Sequence, residues 1–131
     1  MSSILVDSSG WLEFFVNGPL ADAYASHLKE ISQVVVPTVV LYEVYKVIKR
    51  QRNEEAALAA AAQMEKGRLV PLTDAIALTA ADIGLAHQLA MVDAIVYATS
   101  LVEKARLATS DADLASLPGV TYLKKGGQRG S

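Results

Sequence analysis

Apolar residues fall along this chain in two patterns, short unbroken runs and longer stretches at helical spacing. Ile4-Leu5-Val6 is a run that ends at Asp7, and Ser8-Ser9-Gly10 then leads into a Trp11-Leu12, Phe14-Phe15 cluster. This reads as strand, turn and helix. A second helix is predicted from about Pro19 to Glu30. Val34-Val35-Val36 is the next buried strand, which Pro37 ends or borders because it has no N–H to donate to a ladder. Thr38 is the expected N-cap of a third helix, in which Val40, Leu41, Val44, Val47 and Ile48 recur at helical spacing up to Lys49-Arg50-Gln51-Arg52, cations suited to a helix C-terminus.

The alanine-rich stretch Glu54 to Lys66 is a further helix stopped by Gly67. Leu69-Val70 and Leu72 around Pro71 form a short strand or extended link. Thr73 caps a helix running to about Leu89. Asp93 lies at or near the start of the next helix, which is expected to continue through Tyr97 and Leu101 to Ala105. Leu107-Ala108 is then a brief strand leading into Thr109-Ser110-Asp111, and Val120 to Leu123 is the last strand. Strands that are almost wholly apolar, alternating with helices, imply an α/β fold with a mostly parallel sheet covered on both faces.

With 131 residues, of which 52% are apolar, the chain fills one core and is too short for two comfortable domains. Residues 1–123 are expected to form a single domain and residues 124–131 a polar, glycine-rich tail whose ending resembles a cloning remnant. No apolar run is long enough to span a bilayer, and Asp7 interrupts any signal-peptide core, so a cytoplasmic protein is expected. The absence of cysteine excludes disulfides, thiolate nucleophiles and Cys-based metal sites, leaving His27 and His87 as the nitrogen ligands. Each stands alone, without a partner at ligand spacing. A net charge of −2 supplies no global field for a polyanion, so such a substrate would depend on local cations and bound metal.

In open α/β sheets the functional crevice lies beyond the carboxyl ends of the strands. Asp7, Asp111 and Asp113 follow strands directly, Glu43 sits in the second turn of a helix that follows one, and Asp93 lies early in its helix. Asp22, Asp74 and Asp82 read instead as caps or surface groups, and Glu54, Glu55, Glu65 and Glu103 as exposed helical residues. Any one of the first set, Asp7 included, has a plain alternative as a turn or capping residue. Together they form a crowd of carboxylates whose mutual repulsion a hard divalent cation such as Mg²⁺ or Mn²⁺ relieves. Acids and such ions suffice for phosphodiester hydrolysis. No Ser-His-Asp set, P-loop or dinucleotide fingerprint supports another mechanism.

Ile4-Leu5-Val6-Asp7-Ser8-Ser9, Val40-Leu41-Tyr42-Glu43-Val44, Val92 to Thr99 with its Asp93-Ala94, and Ala108-Thr109-Ser110-Asp111-Ala112-Asp113-Leu114 stand in an order that resembles the PIN-domain family, and within it the VapC-like toxins. The resemblance covers the chain up to Leu123. It implies a three-layer α/β/α domain and an Mg²⁺- or Mn²⁺-dependent endoribonuclease with Asp7, Glu43 and Asp93 in its main acidic positions. Asp7 and Asp93 would then be the principal ligands, and Glu43 would complete the shell or orient water. Asp111 is favoured over Asp113 as the fourth acid, in a motif where Leu114 departs from the family's usual aromatic. Ser9 and Thr109 would hydrogen-bond ligands or phosphate. It implies also a homodimer and a VapB-like antitoxin, with RNA such as tRNA as substrate, and the apolar helices between Ala21 and Met64 offer surface for both protein contacts.

Lys46 and Arg50 share the carboxylate's side of the Glu43 helix and are candidates for RNA phosphates; the plainer reading of Lys46 is an ion pair with Glu43. Trp11, Phe14 and Phe15 are read as core. A phosphatase or receiver domain would also place an aspartate at a strand end, but Asp7-Ser8-Ser9 lacks the second aspartate such a phosphatase needs, and the paired acids of a receiver are missing. A non-catalytic module of the same fold would have lost acids that are all present.

Overall fold

A computed structural model describes residues 2–124. The expected tail therefore lies outside the described residues except for Lys124. Five strands, β1 (Ser3–Val6), β2 (Val34–Pro37), β3 (Arg68–Val70), β4 (Ala105–Thr109) and β5 (Val120–Tyr122), form one sheet in the order β3-β2-β1-β4-β5. Every pairing is parallel, including Leu5 with Val35 on one side of β1 and Leu5 with Leu107 on the other. The sheet is thus wholly rather than mostly parallel. Leu5, Val6, Val34, Val35, Val36, Leu107 and Ala108 are fully buried, as expected of strands covered on both faces.

The connections are α1 (Ser8–Phe15) and α2 (Ala21–Leu28), α3 (Thr38–Gln51) and α4 (Glu54–Met64), and α5 (Asp74–His87) and α6 (Met91–Val102), which pack in those pairs. By the right-handed rule for parallel crossovers, α1 to α4 fall on one face as the chain steps outward from β1 to β3, and α5 and α6 on the other as it returns to β4. The result is three layers. Among the described residues no single helix is long and apolar enough to cross a membrane. Trp11 is 1% exposed and stacks on Phe15 at 5.7 Å between ring centroids, within the core.

Three local expectations change. Thr38 is the first helical residue and makes no capping bond; Pro37, with φ −63° and ψ 141°, is itself the hinge from β2 into α3, leaving no loop residue for a cap. Helix α6 ends at Val102 rather than Ala105, because Lys104 turns the chain at φ 54° and Ala105 pairs with Ser3 at the start of β4. Apolar spacing at Leu101 and Ala105 suits either reading, and the sheet claims the second residue. Glu103, expected on an exposed helical face, instead follows the end of α6 and binds Arg68 at 2.6 Å.

Candidate active site

The tips of β1 and β4 are neighbours in the sheet, and a lattice of hydrogen bonds ties them together. Asp7 follows β1 and caps α1: its Oδ1 accepts from the Ser9 hydroxyl at 2.7 Å and the Gly10 N–H at 3.2 Å. Its Oδ2 accepts from the Thr109 hydroxyl at the end of β4. Three donors therefore hold a side chain that is only 6% exposed. Burial nonetheless raises the Asp7 carboxyl above its ordinary value, opposed by those donors and reinforced by the nearby charge of Asp111. Each carboxylate oxygen has two lone pairs, so Oδ1 is filled and Oδ2 keeps one for a further partner.

Thr109 in turn accepts the Asp111 N–H at 2.9 Å, Asp111 Oδ1 accepts the Asp113 N–H at 2.9 Å, and the Ser110 N–H reaches Ser9 Oγ at 3.3 Å. These bonds shape the turn after β4 so that two aspartates project from it. Beneath them the fully buried Tyr24 meets the Ser110 hydroxyl at 2.7 Å, and burial lifts its phenol to about 12. Gly10 makes this floor possible: a Cβ there would lie 2.4 Å from Tyr24 Cε1 and 2.6 Å from Val6 Cγ1.

Asp93, third residue of α6, faces this turn. Carboxylate oxygens of Asp93, Asp111 and Asp113 all lie within 4.8 Å of one another. Partial burial pushes Asp93 up to about 7; the charge of Asp111, a hydrogen bond shared with it, and the charges of Asp113 and Asp7 act in the same direction. Glu43 completes the enclosure from α3. With Asp7, Ser9, Asp93 and Asp111 it lines a cavity of about 320 Å³.

The sequence-expected acids thus arrive together, with distinct placements. Asp111 lines the cavity, whereas Asp113 is exposed at its rim but within reach of Asp93 and Asp111. Ser9 also lines it, and Thr109 lies beneath, fully buried. Lys46 and Arg50 do not line it. They border a separate recess on α3 with Tyr42, Tyr45 and Lys49, and the Lys46 ammonium binds the Tyr42 hydroxyl at 3.3 Å. A Glu43–Lys46 ion pair is absent among the described residues; the pairs formed are Lys49–Glu54 and Arg68–Glu103. His27 lines a recess with Ser2, Ser3 and Arg106 at the opposite end of the sheet, and His87 is exposed at the end of α5. Asp22, Asp74 and Asp82 are exposed.

Sequence reasoning overlooked Tyr24, Ser110 and Gly10 as the floor of the site. Tyr24 sits four residues from Leu20 and from Leu28, a spacing that signals core but hides the role of its hydroxyl. It also overlooked Glu13, a buried acid that accepts the Leu20 N–H at 2.9 Å and so fixes the turn from α1 to α2.

Three converging carboxylates, one holding its proton near neutrality, with a fourth buried nearby and no histidine or cysteine lining the cavity among the described residues, form a set suited to a hard divalent cation. A parallel α/β domain with such a cluster beyond its central strands has the architecture of an acid-site hydrolase. The chain belongs to the PIN domain family, whose profile matches residues 4–120. Solved structures share the fold. A toxin–antitoxin complex from Klebsiella pneumoniae superposes with a TM-score of 0.77 at 22% identity, covering 91% of this chain and 96% of that one. VapC20 of Mycobacterium tuberculosis, a toxin described as cleaving the sarcin–ricin loop, gives 0.75 at 21% identity, with 93% and 99% covered. VapBC2 of Rickettsia felis, bound to a DNA fragment from its promoter, gives 0.73 at 11% identity, with 92% and 97% covered. No curated protein matches the chain in sequence.

Proposed function

We propose that this protein is a divalent-metal-dependent endoribonuclease and the toxin of a toxin–antitoxin pair, acting in the cytoplasm. The observation that carries the reading is the convergence of Asp93, Asp111 and Asp113 above the buried Asp7. Family membership and the likeness to VapC toxins support RNA as the substrate.

Asp93 and Asp111 would hold the cation, Mg²⁺ or Mn²⁺, with the free lone pair of Asp7 below and Asp113 at the rim. When bound, the cation polarises the phosphoryl oxygen and makes water a better nucleophile at neutral pH. Glu43, across the cavity, orients the attacking water. Ser9 and Thr109 hold Asp7 in one rotamer, so that carboxylate does not reorganise during the reaction. Lys46 and Arg50 stand outside the cavity and take phosphates of the flanking strand.

A VapB-like antitoxin and a homodimer are part of the same reading. Large exposed apolar side chains bear on both, but the most exposed, Leu85 at 83%, Met91 at 75% and Leu78 at 69%, lie on α5 and α6 rather than between Ala21 and Met64.

The test is cleavage of pooled tRNA and total RNA by wild type and Asp93→Asn, with Mg²⁺, with Mn²⁺ and with EDTA. Cutting that needs metal and falls on the order of a hundredfold or more in the variant supports the reading. Metal-independent cutting, or equal cutting by both proteins, overturns it.

A further inference from the structure

The exposed side of α3 carries a group of side chains that the acidic cavity does not use. Tyr42, Tyr45, Lys46, Lys49 and Arg50 recur at the spacing that aligns side chains along one helix face, and they alone line a recess of about 510 Å³. Tyr42 is 59% exposed. The Lys46 ammonium lies 5.0 Å from its ring centroid and 3.3 Å from its hydroxyl, which steadies the ring while leaving it open to solvent. Lys49 stands 5.6 Å from the Tyr45 ring and 3.8 Å from Glu54, and Arg50 is exposed.

Charge is what separates this recess from the others. The chain carries a net −2, yet here three cations flank two phenols, and the one acid within the segment, Glu43, lines the acidic cavity instead. An open aromatic ring beside ammonium and guanidinium groups suits a polyanion whose bases are unstacked, because every base has a π-face and every link a phosphate. The bases of a duplex are already stacked on their neighbours and cannot use the ring. The recess between α5 and α6, lined by Leu72, Leu89, Met91 and Ile95, has the apolar chemistry that a protein partner would seek. Tyr42 and Glu43 are consecutive on α3, so the recess and the acidic cavity flank the same turn of one helix from different sides, and Arg50 lies about 10 Å further along it than Glu43.

We infer that Tyr42, with Lys46 and Arg50, forms a stacking subsite that holds unpaired nucleotides of RNA next to the acidic cavity. The inference rests on the ribonuclease reading for its substrate class and adds to it a preference for single-stranded over duplex RNA, made at a residue outside the acid cluster.

The experiment is fluorescence anisotropy of a labelled single-stranded oligoribonucleotide, and of the same sequence annealed as a duplex, with the full chain in EDTA at several salt concentrations. Wild type, Tyr42→Ala, Tyr42→Phe and a Lys46→Ala/Arg50→Ala double variant are compared after thermal melts confirm that each is folded. Tyr42→Ala is expected to weaken single-strand binding by about tenfold, Tyr42→Phe to retain it, and duplex binding to ignore both. The double variant should flatten the log–log salt dependence by about 1.4, some 0.7 for each lost phosphate contact. Equal affinity of Tyr42→Ala and wild type, or equal loss on both RNAs, overturns the subsite. So does an unaltered RNA affinity in a Tyr42→Ala protein that no longer binds a co-expressed protein partner. Binding that depends on Tyr42 without cutting in any metal keeps the subsite and removes the nuclease; cutting with Mg²⁺ but no Tyr42-dependent binding does the reverse.

Discussion

The Thr109 hydroxyl donates to the Asp7 carboxylate across 102 positions of sequence, while its oxygen accepts the Asp111 N–H. One hydroxyl thus sets both the buried acid at the tip of β1 and the turn that presents the acids after β4.

Thr109→Val keeps the shape and removes the hydroxyl, leaving Asp7 buried with one donor fewer and the Asp111 N–H without its acceptor. A loss of about 1–3 kcal/mol in urea unfolding is expected, with Thr109→Ser close to wild type. Equal stability of the valine variant and wild type would show that water replaces the hydroxyl.

The raised Asp93 carboxyl sets the sign of a pH effect. Unfolded, it titrates near 3.8; in the metal-free fold it titrates near 7, so between these values the native state binds more protons. Its contribution to stability is fully present below 3.8 and is lost as pH rises through about 7. With Asp93 in its proposed role as a ligand, metal binding would displace that proton and show the opposite trend. The melting-temperature increase given by Mn²⁺ should be largest above pH 7 and shrink toward pH 5.5, as thermal melts with and without metal across that range will reveal.

Asp111 and Asp113 are separable by position. Asp111 lines the cavity and shares a hydrogen bond with Asp93, whereas Asp113 is exposed. Asp111→Asn should abolish Mn²⁺ stabilisation and raise the metal-free melting temperature by relieving repulsion; Asp113→Asn should lower Mn²⁺ affinity by about tenfold or less. Isothermal titration with Mn²⁺ and metal-free melts decide between them, and the reverse ranking would make Asp113 the ligand.

The apolar side chains of α5 and α6 predict self-association. Leu85→Glu/Met91→Glu should convert a wild-type dimer to a monomer in sedimentation equilibrium without lowering the melting temperature of the protomer by more than a few degrees, since both residues are exposed. A wild type that is already monomeric at micromolar concentration removes this surface from the dimer reading.

Much of this architecture could be read in advance, for identifiable reasons. Strands such as Val34-Val35-Val36 are apolar without alternation because both faces are covered, and the acids mark where those strands stop. The Thr73 cap was legible because its side chain bonds Ile76 N–H a fixed distance along the chain. What escaped was decided by tertiary contact. Ala105 belongs to β4 because Ser3 pairs with it, and Tyr24 serves the site because Gly10 lets its ring approach. Lys46 was placed correctly on the Glu43 helix, yet its exposed position beside Tyr42 gave it a phenol rather than a carboxylate as partner.

The strand order has one more implication. Because β1 is central, with β2 and β3 on one side and β4 and β5 on the other, the cavity draws Asp7 and Glu43 from the first half of the chain and Asp93 and Asp111 from the second. A ribosome that has made only the first seventy or so residues has made a sheet edge and two acids, and the cluster comes into existence only when β4 slots in beside β1. A chain built this way lacks its full set of carboxylates for most of its own synthesis. Severing it in the Pro71–Thr73 link would leave Asp7 and Glu43 on one fragment and Asp93, Asp111 and Asp113 on the other.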